Sequence, residues 1–247
     1  MAAMAQRPHT VKLLLFDVDG TLVLTGGAGV RAMNRAFEAV FGIPDAFRGV
    51  PMAGRTDPAI LSDALTKFGV EPSIGHLADF TTAYVALLAE EVDAPVPTPV
   101  DGTSRRHFKG ALPGVPELIG RLAVIDRVFL GLLTGNYLDG ARIKLAYFDL
   151  WHHFRCGAYG GDADLRHELV PVAMARAAEA GCPNVGLADV IIIGDTTLDV
   201  DAARKAGVAC VAVATGGVDQ AALRAAGADI VFENLLDTDA AVRALTQ

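Results

Sequence analysis

The sequence predicts an α/β fold, a parallel sheet with helices on its faces, interrupted near the start by an inserted helical unit. Three observations predict it. Short apolar runs recur at Leu13 to Phe16, Val128 to Leu133, Val190 to Ile193, Val208 to Val213 and Asp229 to Phe232, each bounded by Gly, Asp or Thr. Helical spacing fills the intervals between the later runs. Between the first run and the second, about a hundred residues pass with helical patterns and no convincing strand, too long for a single crossover.

Taken in order, Leu13 to Phe16 is apolar without alternation, as a strand buried on both faces should be. Gly26-Gly27 opens the insert. Ala28 to Phe41 places Met33, Phe37, Val40 and Phe41 on one helical stripe, and Pro58 to Phe68 and Leu77 to Glu91 show the same spacing. Asp93 to Gly114 carries Pro95, Pro97, Pro99 and Pro113 and reads as a semi-rigid, largely extended linker. The α/β core is thus expected over residues 1–25 and 110–247, with the helical unit and linker over 26–109. Helices are expected at Tyr137 to Phe148, Glu168 to Ala180, Leu198 to Ala206 and Gln220 to Ala226. Strand and helix in alternation imply parallel strands with right-handed crossovers.

Composition narrows the class. Of 247 residues, 52% are hydrophobic and 20% charged, which supports a sizeable core and excludes global disorder. The net charge of -8 argues against a general nucleic-acid or anionic-membrane surface, so the expected partner is small. Cys156, Cys182 and Cys210 lack paired zinc or disulfide spacings and read as reduced. No segment reaches the roughly 20 apolar residues of a membrane span, and Met1 to Pro8 reads as a loose tail without a signal-peptide core. A cytoplasmic protein is expected; the sequence carries no signal of oligomeric state.

The chemistry is concentrated where apolar runs end. Asp17-Val18-Asp19-Gly20-Thr21 follows the first run directly, and two residues apart on extended backbone both carboxylates leave the same face. Ligands in open α/β sheets bind outside the carboxyl ends of the strands. Thr134-Gly135-Asn136 follows the second run, and Gly194-Asp195-Thr196-Thr197-Leu198-Asp199 ends the third, with a basic residue, Arg166, before it.

This set resembles the haloacid dehalogenase superfamily, whose signature is an Asp-x-Asp-x-Thr loop, a Ser or Thr after the second core strand, a basic residue, and a Gly-Asp-x-x-x-Asp loop. The resemblance spans the core in the right order, and the helical insert matches the family's cap position. It implies a Rossmann-like core and a Mg²⁺-dependent phosphatase acting on a small phosphorylated metabolite, similar in cap type to phosphoglycolate phosphatases. It further implies Asp17 as nucleophile, forming an aspartyl phosphate, and Asp19 as general acid and base. Thr134 and the main-chain amides of Val18 and Gly135 would hold the phosphoryl oxygens. Metal ligands would be Asp17, the Asp19 carbonyl and Asp195, with Asp199 supporting from behind and Thr21 holding the first loop in shape. Cap movement about Gly26-Gly27 and the linker is expected from the family and from the need to exclude water.

The chain departs from the family at the basic position. A lysine, commonly followed by proline, is usual there; here Arg166 lies five residues before Pro171, a spacing compatible with that position. Lys144 is the competing candidate, but its place within a helical pattern reads as a solvated side chain. Arg55, in Ala53-Gly54-Arg55-Thr56-Asp57, falls where related caps present a loop to substrate, against the plainer reading of a turn before a helix N-cap at Thr56 or Asp57. Asp195-Thr196-Thr197 could equally cap the following helix, with Asp199 in its first turn, and both roles can coexist. His152, His153 and Cys156 lack a second ligand pair for a metal site. Arg105-Arg106-His107 with Lys109 reads as a solvated charge run. Two alternatives stay open: a phosphosugar mutase of the β-phosphoglucomutase kind, which shares all these core residues, and a catalytically impaired binding protein of the same fold.

Overall fold

The computed structural model describes residues 11–96, 108–183 and 185–247. Met1 to Pro8, Pro97, Pro99 and the Arg105-Arg106-His107 run lie outside them. Six parallel strands form the main sheet: β1 (Lys12–Phe16), β4 (Val128–Leu133), β5 (Cys156–Ala158), β6 (Val190–Gly194), β7 (Ala209–Val213) and β8 (Ile230–Phe232), in the order β5-β4-β1-β6-β7-β8. A two-stranded antiparallel ribbon pairs β2 (Val23–Thr25) with β3 (Lys109–Ala111). Helices α1 (Ala28–Phe41), α2 (Asp57–Phe68) and α3 (Ile74–Asp93) lie between those two short strands in sequence, and α4 (Val115–Ala123), α5 (Leu138–Tyr147), α6 (Leu169–Glu179), α7 (Thr197–Ala206), α8 (Gln220–Ala226) and α9 (Thr238–Thr246) accompany the sheet.

Alternation along β1 builds both sides of the sheet. Leu14 and Phe16 point into a cluster with Leu118, Ile119, Leu132, Ile193 and Leu245, while Leu13 and Leu15 join Leu133, Leu169, Ala173, Ile192 and Val200 on the opposite face. All four β1 side chains are fully buried, each contributing about 1.5–3 kcal/mol of transfer free energy. A third cluster, formed by Ala32, Phe37, Ile60, Leu65, Phe80 and Leu88 among others, belongs to α1–α3. Phe37 meets Phe47 and Phe80 edge-on, at centroid separations of 5.6 and 6.3 Å. The helical unit therefore has an apolar interior of its own.

Several elements escaped the sequence pattern. β5 is a three-residue edge strand, Cys-Gly-Ala, with no periodicity to read. α4 begins at Val115 with Pro116 in its first turn, where the missing N–H costs nothing; the sequence pattern marks no element there. The ribbon strands are also three residues each, and Lys109–Ala111 lies in the stretch read as linker. Gly26 and Gly27 adopt φ of 61° and 78°, a left-handed turn that glycine allows without strain, and Gly26 N–H donates to the Phe108 carbonyl at 2.9 Å beside the ribbon.

Candidate active site

Sheet order decides where the polar loops meet. β1 lies between β4 and β6, with Phe16 level with Leu132 on one side and Ile193 on the other. The chain reverses its direction of travel across the sheet here, so the loops after β1, β4 and β6 converge at a topological switch point. The Asp17 N–H donates to the Ile193 carbonyl at 2.9 Å, carrying the ladder up to the first loop residue.

Three carboxylates, Asp17, Asp195 and Asp199, bring oxygens within 4.8 Å of one another, and all three are buried. Burial pushes the Asp17 carboxyl up to about 6, with Arg166 pulling it back and Asp199 adding repulsion. Asp195 is raised well above the usual carboxylate range by burial, then by Asp199 and Asp17. Thr21 Oγ1 donates to Asp195 Oδ1 at 3.1 Å. Asp199 works in two directions: its Oδ2 accepts from Thr196 N–H at 3.0 Å and Thr196 Oγ1 at 2.7 Å, closing a capping box on α7, while its Oδ1 accepts from Arg166. Asp199 thus caps α7 and faces the carboxylate cluster at once.

Arg166 sits in a one-turn 3-10 helix just before α6. It lies 3.1 Å from Asp17 Oδ1, pairs with Asp199, and donates to the Gly54 carbonyl at 3.3 Å. Burial opposes its charge, but Asp17 and Asp199 hold it protonated. Its Nε is buried without a hydrogen-bond partner, an orphan donor that an arriving anion would satisfy.

The structure overturns the reading of Lys144 as a solvated side chain. It is 4% exposed, and its Nζ donates at 2.6 Å to both Asp19 Oδ2 and Asn136 Oδ1. The reason is helical phase: Gly140, Ala141, Lys144 and Leu145 form the buried stripe of α5, so the lysine occupies an inward position among small and apolar residues. That stripe was the available signal. Asn136 also donates to Asp19 Oδ2 at 2.9 Å and to Thr134 Oγ1 at 2.8 Å. Thr134 is fully buried beside it.

Glycines create room around these groups. A Cβ on Gly216 would lie 1.6 Å from Asp195 Oδ2, and one on Gly20 2.6 Å from the same oxygen. Gly20 also needs φ of 84°. Thr215 Oγ1 donates to the Gly20 carbonyl at 2.6 Å. The sequence reading missed this fourth loop, Thr215-Gly216-Gly217 after β7, although it too is a polar, glycine-rich end of an apolar strand.

The helical unit reaches the same place. Asp57 N–H donates to the Gly135 carbonyl at 2.7 Å, and Asp57 Oδ2 accepts from Tyr137 N–H at 2.9 Å. Asp57 is buried and its carboxyl is pushed up to about 6 by desolvation, against the lowering influence of Lys144 and the Tyr137 N–H; it had been considered only as a helix cap. Thr56 is the N-cap, accepting from Ala59 N–H at 3.3 Å. Arg55 pairs with Asp63 and lines the same cavity as Asp17, Thr134, Lys144 and Arg166. That cavity measures about 1130 Å³ between the helical unit and the strand ends.

The donor set suits a hard divalent cation, because the oxygens are carboxylate and close-set, and Mg²⁺ prefers such ligands. Charge agrees: four carboxylates, Asp17, Asp19, Asp195 and Asp199, face two cations, Arg166 and Lys144.

Comparison with known proteins bears out the family resemblance. A family model described as HAD-hydrolase-like matches residues 168–238. The validoxylamine A 7′-phosphate phosphatase of Streptomyces hygroscopicus subsp. limoneus is 28% identical over 227 residues, covering 92% of this chain and 95% of the relative. Among solved structures, a hydrolase from Pseudomonas syringae superposes with a TM-score of 0.67 at 22% identity, covering 96% of this chain and all of the other. CbbY from Rhodobacter sphaeroides in complex with phosphate gives 0.67 at 19% identity, covering 92% and 96%.

Proposed function

We propose that this haloacid dehalogenase-superfamily hydrolase is a Mg²⁺-dependent phosphatase that cleaves a small phosphomonoester through an aspartyl phosphate on Asp17. The observation that carries the reading is the convergence on Asp17 of a buried guanidinium with an unpartnered Nε, two further buried carboxylates, and Asp19 facing the same cavity.

Mg²⁺ would be held by the Asp17 and Asp195 carboxylates and the Asp19 main-chain carbonyl, with Asp199 behind. Bound there, it would supply positive charge against the repulsion between a carboxylate and a phosphate dianion. An Asp17 oxygen forms the bond to phosphorus as the ester oxygen leaves, and Asp19 gives that oxygen its proton. Water then attacks the phosphorus, passes a proton to Asp19 and frees Asp17 and inorganic phosphate. Arg166 Nε, the Thr134 hydroxyl and the N–H groups of Val18 and Gly135 serve the equatorial oxygens. The cavity, open to solvent, leaves room for an alcohol portion larger than a two-carbon acid. The curated relative's name, a phosphatase of validoxylamine A 7′-phosphate, is compatible with an alcohol portion of that kind. Arg55, held by Asp63 at the cavity wall, is placed to meet that portion.

The test is phosphate release from p-nitrophenyl phosphate and a panel of alkyl and sugar phosphates, with Mg²⁺ and with EDTA, beside the Asp17→Asn protein. Release that needs Mg²⁺ and disappears in the variant is the expected result. Release unchanged in Asp17→Asn would refute the nucleophile, and an isomerised sugar phosphate in place of free phosphate would identify a mutase.

A further inference from the structure

We infer that Lys144 is a positioning residue for proton transfer, holding Asp19 so that one carboxylate oxygen faces the ester. The inference rests on the phosphatase reading above. Asp19 Oδ2 receives two donors, Lys144 Nζ at 2.6 Å and Asn136 Nδ2 at 2.9 Å. Asp19 Oδ1 makes no hydrogen bond to the described residues, and the side chain remains 42% exposed where it lines the cavity. One oxygen is thus fixed from the inner side while the other is presented to the space where substrate must lie.

The holder is itself held. Lys144 Nζ also donates to Asn136 Oδ1 at 2.6 Å, and Asn136 Nδ2 is shared between Asp19 and Thr134 Oγ1, so the lysine, the amide, the acid and the phosphoryl-binding threonine form one closed network. Both Lys144 and Asn136 are buried, at 4% and 5% exposure, so a partner lost from this network leaves a buried polar group unpaired. Burying an ammonium is costly unless it is paired. Here its nearest carboxylate is Asp19, with Asp57 also acting on the same pocket. Arg166, by contrast, pairs with Asp17 and Asp199, and among the described residues no ion pair or hydrogen bond joins it to Asp19. The two cations divide the work: Arg166 attends the nucleophile side and Lys144 the acid and base.

Positioning of an acid matters in proportion to how much the leaving oxygen needs a proton. An alkoxide is strongly basic and needs it, whereas p-nitrophenolate leaves with little help. A Lys144 variant should therefore slow the two kinds of ester unequally, which a general loosening of the fold would not do.

The experiment compares kcat/KM, which reports steps through loss of the alcohol, for wild type, Lys144→Met and Lys144→Gln with Mg²⁺. The substrates are p-nitrophenyl phosphate and the alkyl phosphate that the wild type hydrolyses fastest. The expected result for Lys144→Met is a loss roughly 10- to 100-fold greater on the alkyl ester than on the aryl ester, with Lys144→Gln, which keeps a donor, between it and wild type. Equal losses on both esters, or no loss on either, would overturn the inference. If Lys144→Met does not unfold cooperatively, Lys144→Gln carries the same comparison; failure of both to fold would assign Lys144 to structure and overturn the inference as well. An inactive wild type, or an Asp17→Asn protein that still releases phosphate, would instead strike the phosphatase reading itself.

Discussion

Arg166 balances Asp17 and Asp199 at once through its Nη2, and the balance is needed because both acids are buried beside Asp195. Replacing it with methionine would keep most of the packing volume and leave those carboxylates without their nearest counter-charge. Removing one partner of a buried pair costs about 3 kcal/mol or more. Denaturant unfolding of Arg166→Met in EDTA at pH 7.5 should show a loss of that order, part of it recovered on adding Mg²⁺ if, as proposed, a divalent cation binds the carboxylates and replaces the missing charge. Stability equal to wild type in EDTA would mean that the acids are not compensated by Arg166. This residue was singled out through the family resemblance, whose basic position it matches by its spacing to Pro171, between two strand-end clusters. Lys144 was not legible on those terms, since its role depends on the helical phase of α5 and on Asn136 and Asp19 arriving from other loops. Asp57 was hidden for the same reason, because its partner Tyr137 is eighty residues away.

At the scale of elements, α2 is the piece that carries acid into the junction. Its first residue, Asp57, is buried and donates and accepts across to the loop after β4. Because burial raises its carboxyl from 3.8 to about 6, the folded protein holds this proton more tightly than the unfolded chain does. The associated stability is fully present below pH 3.8 and is lost as pH rises through about 6, a difference on the order of 3 kcal/mol. Asp57→Asn keeps an acceptor for the Tyr137 N–H and cannot ionise. Its stability relative to wild type should rise between pH 4.5 and pH 7.5 in EDTA; a difference that stays flat would show that Asp57 does not titrate in that window. Long strands and helices were readable because their burial is written in unbroken or periodic apolar residues, as in Val128–Leu133 and Ala28–Phe41. β2, β3 and β5 were not, because three residues hold no period and their pairing is decided by what lies opposite.

On the scale of the whole molecule, the helical unit meets the sheet partly through apolar contact, where Tyr137 and Ile143 pack against the α1–α3 cluster, and partly through polar loops at the strand ends. The loop Gly54 to Asp57 lies directly on the strand-end loops: a Cβ on Gly135 would stand 2.1 Å from the Arg55 carbonyl, and one on Gly54 2.5 Å from Thr196 Oγ1. The chain passes between the two units next to the β2–β3 ribbon and the left-handed Gly26-Gly27 turn. Gly135→Ala places its methyl group against backbone of the helical unit, so the clash exists only while that unit rests on the sheet. If closure is a movement, the variant can relieve the clash by opening. Its unfolding midpoint should then stay within a degree or two of wild type while kcat/KM falls at least about tenfold. A fall in stability matching the fall in activity would mean instead that the two units form one rigid body, and that substrate enters this cavity without the helical unit lifting away.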